Sequence, residues 1–134
     1  MKILSWNCRG FARAAEVRSL RVMCRLHKPD VIFLCETKVK MFDVQNPLAC
    51  LGFLLQFQVP SSGSKGGLVI ACKFGIEAEQ VALSSHQISF LVHSDPPSTS
   101  WLVTCVHAPS AWNNRGNFWL DVENIGQHFR GPGF

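Results

Sequence analysis

The feature that most constrains this chain is an apolar strand, an amphipathic helix and a second apolar strand packed into its opening segment. Ile3 to Trp6 reads as a short buried strand. Arg13 to His27 then shows a helical repeat, with Val17, Leu20, Met23, Cys24 and Leu26 as its apolar positions. Arg18, Arg21, Arg25 and Lys28 recur at three- and four-residue steps on the opposite side. That basic stripe reads as a solvated helix face in preference to a DNA contact. Pro29 ends the helix. Val31 to Cys35 is an unbroken apolar run between Asp30 and Glu36, the pattern of a strand covered on both faces. Strand, helix and strand at this spacing form a βαβ unit, whose two strands run parallel through a crossover helix.

Further along, Asn46-Pro47 marks a turn or short helix and Phe53 to Val59 a further strand. Ser61 to Gly67 is a flexible turn that lacks the G-x-x-x-x-G-K-[ST] order of a phosphate-binding loop. Leu68 to Lys73, Gln87 to His93 and Trp101 to His107 are β-branched and aromatic enough to be strands, with Pro96-Pro97 in the turn between the last two. Asn114 to Phe129 reads as a second long helix with Phe118, Val122, Ile125 and Phe129 on one face and Gly126 interrupting it. The order of elements predicts an α/β chain, and 134 residues suffice for one domain and not for two.

Composition narrows the class. With 47% hydrophobic and 16% charged residues the chain is globular and not disordered. A net charge of +4 is compatible with an anionic partner such as nucleic acid. The six cysteines, at 8, 24, 35, 50, 72 and 105, contain no C-x-x-C pair, and several lie inside apolar runs. Buried free thiols are expected, with no disulfide framework and no zinc site. The apolar run at the amino end is too short for a signal peptide, and no stretch approaches a membrane span. The expectation is an intracellular protein, with the nucleus as a candidate compartment and no membrane association.

If the strands at 3–6 and 31–35 are parallel neighbours, their carboxyl ends share one edge of a sheet. Asn7 and Glu36 follow those strands and meet there, on the edge where open α/β sheets bind ligands. A carboxylate beside an amide suits a hard cation such as Mg²⁺, which accepts one or two carboxylates plus water and phosphate oxygens. Asn7 is either a ligand or a hydrogen-bonding partner that orients Glu36. The other reading of Glu36 is a strand-end residue capping a backbone group. His107 closes the 101–107 strand and is structural or catalytic. Asn113, Asn114 and Arg115 cluster at a helix start, where backbone N–H groups favour anions. There Arg115 can hold a phosphate as a fork, and either asparagine can serve as an N-cap. His27, His86, His93 and His128 have no partner that spacing supplies, and Asp30, Asp43, Asp95 and Asp121 read as boundary or surface residues.

These residues carry a family resemblance. Lys2-Ile3-Leu4-Ser5-Trp6-Asn7-Cys8-Arg9-Gly10 resembles the opening motif of the endonuclease/exonuclease/phosphatase superfamily, which includes deoxyribonuclease-like and abasic-site endonucleases. It most resembles the endonuclease domain of LINE-type retrotransposons. Pro29 to Lys38 is similar to the second motif, which ends in a metal-binding Glu followed by Thr. Gly66-Gly67-Leu68-Val69-Ile70 matches the strand that follows in many members, and Val106-His107-Ala108-Pro109-Ser110 sits where the third motif belongs. The resemblance implies a four-layer sandwich, two mixed β-sheets packed face to face with outer helices. It also implies phosphoester hydrolysis with Mg²⁺ or Mn²⁺, DNA as partner, Glu36 as metal ligand and Asn7 as arranger of metal and phosphate.

Two departures shape what is expected. The family usually has Tyr where this chain has His107. Its later Gly-Asp-x-Asn and Ser-Asp-His motifs, which supply the general base and the principal histidine, do not occur here. Residues 1–134 therefore read as the amino-terminal portion of one domain whose carboxyl half is absent, expected to be inactive by itself. The alternatives are a non-catalytic nucleic-acid-binding or interaction module, and a phosphatase or nuclease acting on another phosphoester, such as an inositol phosphate or an abasic site.

Overall fold

A computed structural model describes residues 1–11, 14–38, 41–60, 66–93, 99–108 and 112–128, with the side chains of 41–44, 112–114 and 126–128 outside the description. The elements run β1 (Ile3–Asn7), α1 (Ala14–His27), β2 (Val31–Cys35), α2 (Met41–Cys50), β3 (Phe53–Val59), β4 (Leu68–Lys73), β5 (Ala78–Leu83), β6 (Gln87–Val92), β7 (Trp101–Val106) and α3 (Trp112–His128). The fold is mixed α/β with two sheets, divided into compact units at Met1–Ile76 and Glu77–Phe134.

The first unit holds a mixed four-stranded sheet in the order β1-β2-β4-β3. β1 pairs parallel with β2, Ile3 opposite Val31 and Asn7 opposite Cys35. β4 pairs antiparallel with both β2 and β3. The two central strands are the apolar ones: every residue of β2 and Leu68–Cys72 of β4 are buried. One face of the sheet contributes Ile32, Leu34, Val69, Ala71 and Phe53 to a core closed by Leu20 of α1 and Leu48 of α2. Strict alternation puts Val31, Phe33, Ile70 and Cys72 on the other face, and these are buried too.

β1 departs from the expected buried strand. It is an edge strand with alternating burial, Leu4 and Trp6 half-buried against the core while Ile3, Ser5 and Asn7 are exposed. On α1, Val17, Leu20, Met23 and Cys24 pack inward as expected. Leu26 does not: it is 72% exposed, because it lies 200° around the helix from Cys24. The helix closes on Lys28, whose φ of 48° and N–H to Cys24 C=O bond of 2.9 Å form a left-handed C-terminal cap just before Pro29.

The second unit carries the antiparallel sheet β5-β6-β7, whose central strand β6 is almost wholly buried. Ser89 and Thr104 join β6 to β7 through their hydroxyls at 2.9 Å. β5 was not expected as a strand. Its Ala-Glu-Gln-Val-Ala-Leu sequence is mostly exposed and poor in β-formers, and backbone pairing with β6, interrupted by a bulge near Val81, holds it extended. Phe118 is the buried anchor of α3, with Val122 and Ile125 half-buried on the same side. Pro96-Pro97, Pro109, Ser110, Phe129 and the Ser61–Lys65 part of the glycine-rich turn lie outside the described residues. No helix among the described residues is long and apolar enough to cross a membrane, and the cysteines are free.

Candidate functional site

The carboxyl edge of β1 and β2 is built from backbone outward. Beyond its last paired residue, the β1 strand stays joined to the β2 strand: Cys8 N–H donates to Cys35 C=O at 3.1 Å, Gly10 N–H to Glu36 C=O at 2.8 Å and Phe11 N–H to Thr37 C=O at 2.8 Å. On the other side, Thr37 N–H donates to Gly67 C=O at 3.4 Å and Lys38 N–H to Gly66 C=O at 3.1 Å. Glu36 is thus held between two backbone segments. The Cys8 thiol reinforces the seam by donating to Cys35 C=O at 3.3 Å. Burial pushes that thiol up to about 11, so it is a neutral packing group and not a nucleophile.

The rim concentrates left-handed backbone. Arg9, Glu36 and Lys38 have φ of 48°, 55° and 54°, and Gly10, Gly66 and Gly67 have 106°, 75° and 100°. For Glu36 the consequence is specific. Strand alternation would place residue 36 on the same face as Ile32 and Leu34, inside the core. The positive φ takes it out of the alternation, and its side chain is half-buried where Ile32 and Leu34 are fully buried. Non-glycine residues in this region carry strain, which collects at functional sites.

Asn7 lies directly across from Cys35, one residue short of Glu36, on strands that run about 4.8 Å apart. Its Oδ1 accepts the Arg9 N–H at 3.2 Å, which fixes the amide and leaves a second lone pair. The parallel register thus brings residues 7 and 36 to the same sheet edge. Next to them, Thr37 is fully buried and its Oγ1 has no hydrogen-bond partner among the described residues. Sequence reasoning placed Thr37 in the second motif without giving it a role, and read Gly66-Gly67 as the end of a flexible turn and the start of a matching strand. A glycine pair directly before a buried strand, with both carbonyls needed by a neighbouring loop, is the signal that could have identified it.

The donor set fits a hard divalent cation in kind, one carboxylate and one carboxamide, both oxygen donors. No group of three His, Cys, Asp or Glu residues able to hold a metal occurs among the described residues.

His107, Asn113 and Arg115 belong to the second unit. His107 follows β7, its N–H donating to His86 C=O at 2.8 Å, while the His86 ring meets His107 C=O at 3.2 Å and stacks edge-on against Phe118. Asn113 and Arg115 lie in the first turn of α3, with the side chains of Asn113 and Asn114 outside the description. His86 and His93 thus have partners that spacing did not reveal. His93 bridges Glu79 Oε2 and Ser100 Oγ, both at 2.8 Å. It ties β5 to the segment before β7.

A family model described as the Endonuclease/Exonuclease/phosphatase family matches residues 4–133. No sequence match to a curated protein was found. Among solved structures, the chain is similar to an AP endonuclease from Leishmania major, with 16% identity over 95% of this chain and 46% of that one and a TM-score of 0.63. It is similar to an AP endonuclease from Archaeoglobus fulgidus, with 17% identity, 96% and 50% coverage and a TM-score of 0.64. It is also similar to D. rerio TDP2 complexed with single strand DNA product, with 19% identity, 95% and 55% coverage and a TM-score of 0.63. The chain spans about half the length of these structures. At such identities the likeness is one of fold, and the family match rests on the sequence itself: the chain belongs to the endonuclease/exonuclease/phosphatase family.

Proposed function

We propose that residues 1–134 are the amino-terminal part of a divalent-metal-dependent phosphodiester hydrolase domain, a DNA endonuclease of the LINE retrotransposon type. The observation that supports the reading is the parallel register of β1 on β2, which brings residue 7 and the half-buried Glu36 to one sheet edge. Two of the structural relatives are AP endonucleases and a third is complexed with single strand DNA product, which supports DNA as substrate. The LINE-type assignment rests on the Lys2–Gly10 and Pro29–Lys38 motifs.

In this reading Glu36 ligates Mg²⁺ or Mn²⁺ through its carboxylate. Asn7, anchored by the Arg9 N–H, supplies an amide oxygen or fixes the carboxylate. The bound cation neutralises charge developing on a phosphoryl oxygen. The Thr37 hydroxyl, buried and without a partner among the described residues, adds a polar group of the kind a ligand or water satisfies. His107 donates to phosphate from the position where the family usually has Tyr. Asn113 and Arg115 hold phosphate at the start of α3, where free N–H groups favour anions. The Gly-Asp-x-Asn and Ser-Asp-His motifs, from which the resemblance draws the general base and the principal histidine, do not occur in these 134 residues. We expect the 134-residue chain to bind metal without turning over DNA, since losing a general acid–base removes about 10² to 10⁴ in rate.

Mn²⁺ titration of the wild-type chain and of Glu36→Gln, beside a Mg²⁺-dependent plasmid-nicking assay, tests both parts. Saturable Mn²⁺ binding weakened at least tenfold in Glu36→Gln, with no nicking by either protein, is the expected result. Equal binding by both would remove Glu36 from the metal site. Nicking by the purified wild-type chain that Glu36→Gln abolishes would overturn the inactivity.

A further inference from the structure

At the sheet edge opposite the Asn7–Glu36 rim, the first unit has a cavity of about 770 Å³. Arg21 and Arg25 reach it from α1, Lys28 from the helix cap and Lys73 from the end of β4; Phe53 and Phe74 also line it. The five residues of β2 separate this edge from Glu36, about 17 Å of strand.

We infer that this cavity is a second, distal nucleic-acid site that grips the phosphates of a single strand and stacks one of its bases on Phe74. Charge is the first argument. None of the four cationic side chains forms an ion pair with a described residue. Among the described residues no Asp or Glu lines the cavity; Asp30, two residues beyond Lys28, stays outside it and accepts the Lys2 N–H at 2.8 Å. Four like charges around one cavity repel each other, and a polyanion relieves that repulsion. Three of them belong to the α1 stripe that spacing alone reads as a solvated face; Arg18, the fourth member of the stripe, stays outside the cavity.

The second argument is the aromatic ring. Phe74 is 56% exposed beside these charges, although its neighbour Phe53 is buried. A cationic groove with an accessible aromatic side chain is the combination that binds single strands without sequence preference. Size supplies the third argument. At about 770 Å³, with four cationic side chains and two aromatic rings in its lining, the cavity exceeds what one phosphate fills. The ligand we infer presents successive phosphates. The site is independent of the metal reading, because none of its residues belongs to the rim.

Fluorescence polarisation of a labelled single-stranded oligonucleotide of 12 thymidines, with EDTA present, tests the inference on the full 134-residue chain. Arg21→Glu/Arg25→Glu should weaken binding at least tenfold and flatten the salt dependence by roughly 1.4 log units per log unit of salt. Phe74→Ala should weaken it roughly tenfold through lost stacking. Arg18→Glu, on the same helix, should change it less than threefold. Far-UV circular dichroism establishes that each variant folds. An independent readout needs no variant: Cys50 is exposed and lines the cavity, so the bound strand should slow its alkylation several-fold. An unprotected Cys50, a double variant within twofold of wild type, or an Arg18→Glu loss equal to the double variant's would overturn the site. ATP displacing the strand at equal phosphate concentration would overturn the assignment to a strand.

Discussion

Glu36 combines a functional demand with a backbone penalty, and replacing it should separate the two. Its φ of 55° is left-handed, which costs an L-residue with a Cβ about 1–2 kcal/mol. Glycine removes that strain, while its extra freedom in the unfolded chain takes back about 0.5–1 kcal/mol. Glu36→Gly is therefore expected to raise stability by about 0.5 kcal/mol. Glu36→Gln keeps the strain and should lie within 0.5 kcal/mol of wild type, roughly the range of surface substitutions. Glu36→Val adds a β-branch at a position hostile to it and should lose about 1–2 kcal/mol. Urea unfolding would give the order glycine, then glutamate and glutamine, then valine. For a chain of this size the spread from glycine to valine corresponds to roughly 8 °C in Tm. All three variants should lose Mn²⁺ binding, so the glycine variant would be the more stable and the less functional. A valine variant as stable as glutamine would refute the claim that the backbone at 36 is strained. A glycine variant retaining Mn²⁺ affinity would refute the role of the carboxylate.

Other substitutions test the frame around the rim. Phe33→Ala, in a strand with every residue buried, should destabilise by about 3–5 kcal/mol, a large share of the 5–15 kcal/mol that folded domains possess, and be read as a lowered urea midpoint. Asn7→Ala should weaken Mn²⁺ binding about tenfold with little loss of stability, since the side chain is exposed and only orients its neighbours. Burial pushes the Cys8 and Cys72 thiols up to about 11 from 9.0. Both forms of the chain hold these protons below pH 9, so stability should be level there with respect to these groups. Between pH 9 and 11 the unfolded chain ionises first, and stability should fall as pH rises. At pH 8 the exposed Cys50 should alkylate fast while Cys8 and Cys72 remain protected, as mass spectrometry of timed reactions would show.

What the sequence revealed and what it hid follow from the range of the forces involved. β2 and β4 were legible with their boundaries, because a strand buried on both faces must be apolar at every position. The α1 boundaries were legible through periodicity and Pro29. β5 was not, since its extended form comes from pairing with β6 and not from its own residues. α2 was only half legible: Pro47, which usually signals a break, sits inside it. The partners of His93 were invisible for the same reason as β5: Glu79 and Ser100 reach it from different segments.

The site divides along the same line. That Asn7 and Glu36 would share an edge followed from topology, because parallel strands joined by a crossover helix must end on the same side. How Glu36 turns outward did not follow, because its left-handed backbone is imposed by bonds to its flanking segments: Gly10 N–H reaches it from one side, and the Gly66 and Gly67 carbonyls hold Thr37 and Lys38 on the other. A carboxylate placed by strand alternation alone would point into the helix-side core with Ile32 and Leu34. The glycines therefore do more than permit a turn: without φ values of 106°, 75° and 100° at 10, 66 and 67, the segments could not close on residue 36. A Gly66→Val substitution tests that coupling. Nothing lies within 4 Å of a Cβ there, so the change introduces backbone strain without a clash. It should weaken Mn²⁺ binding at Glu36 even though residue 66 supplies no ligand, and unchanged binding would show that the carboxylate holds its position without the glycine loop.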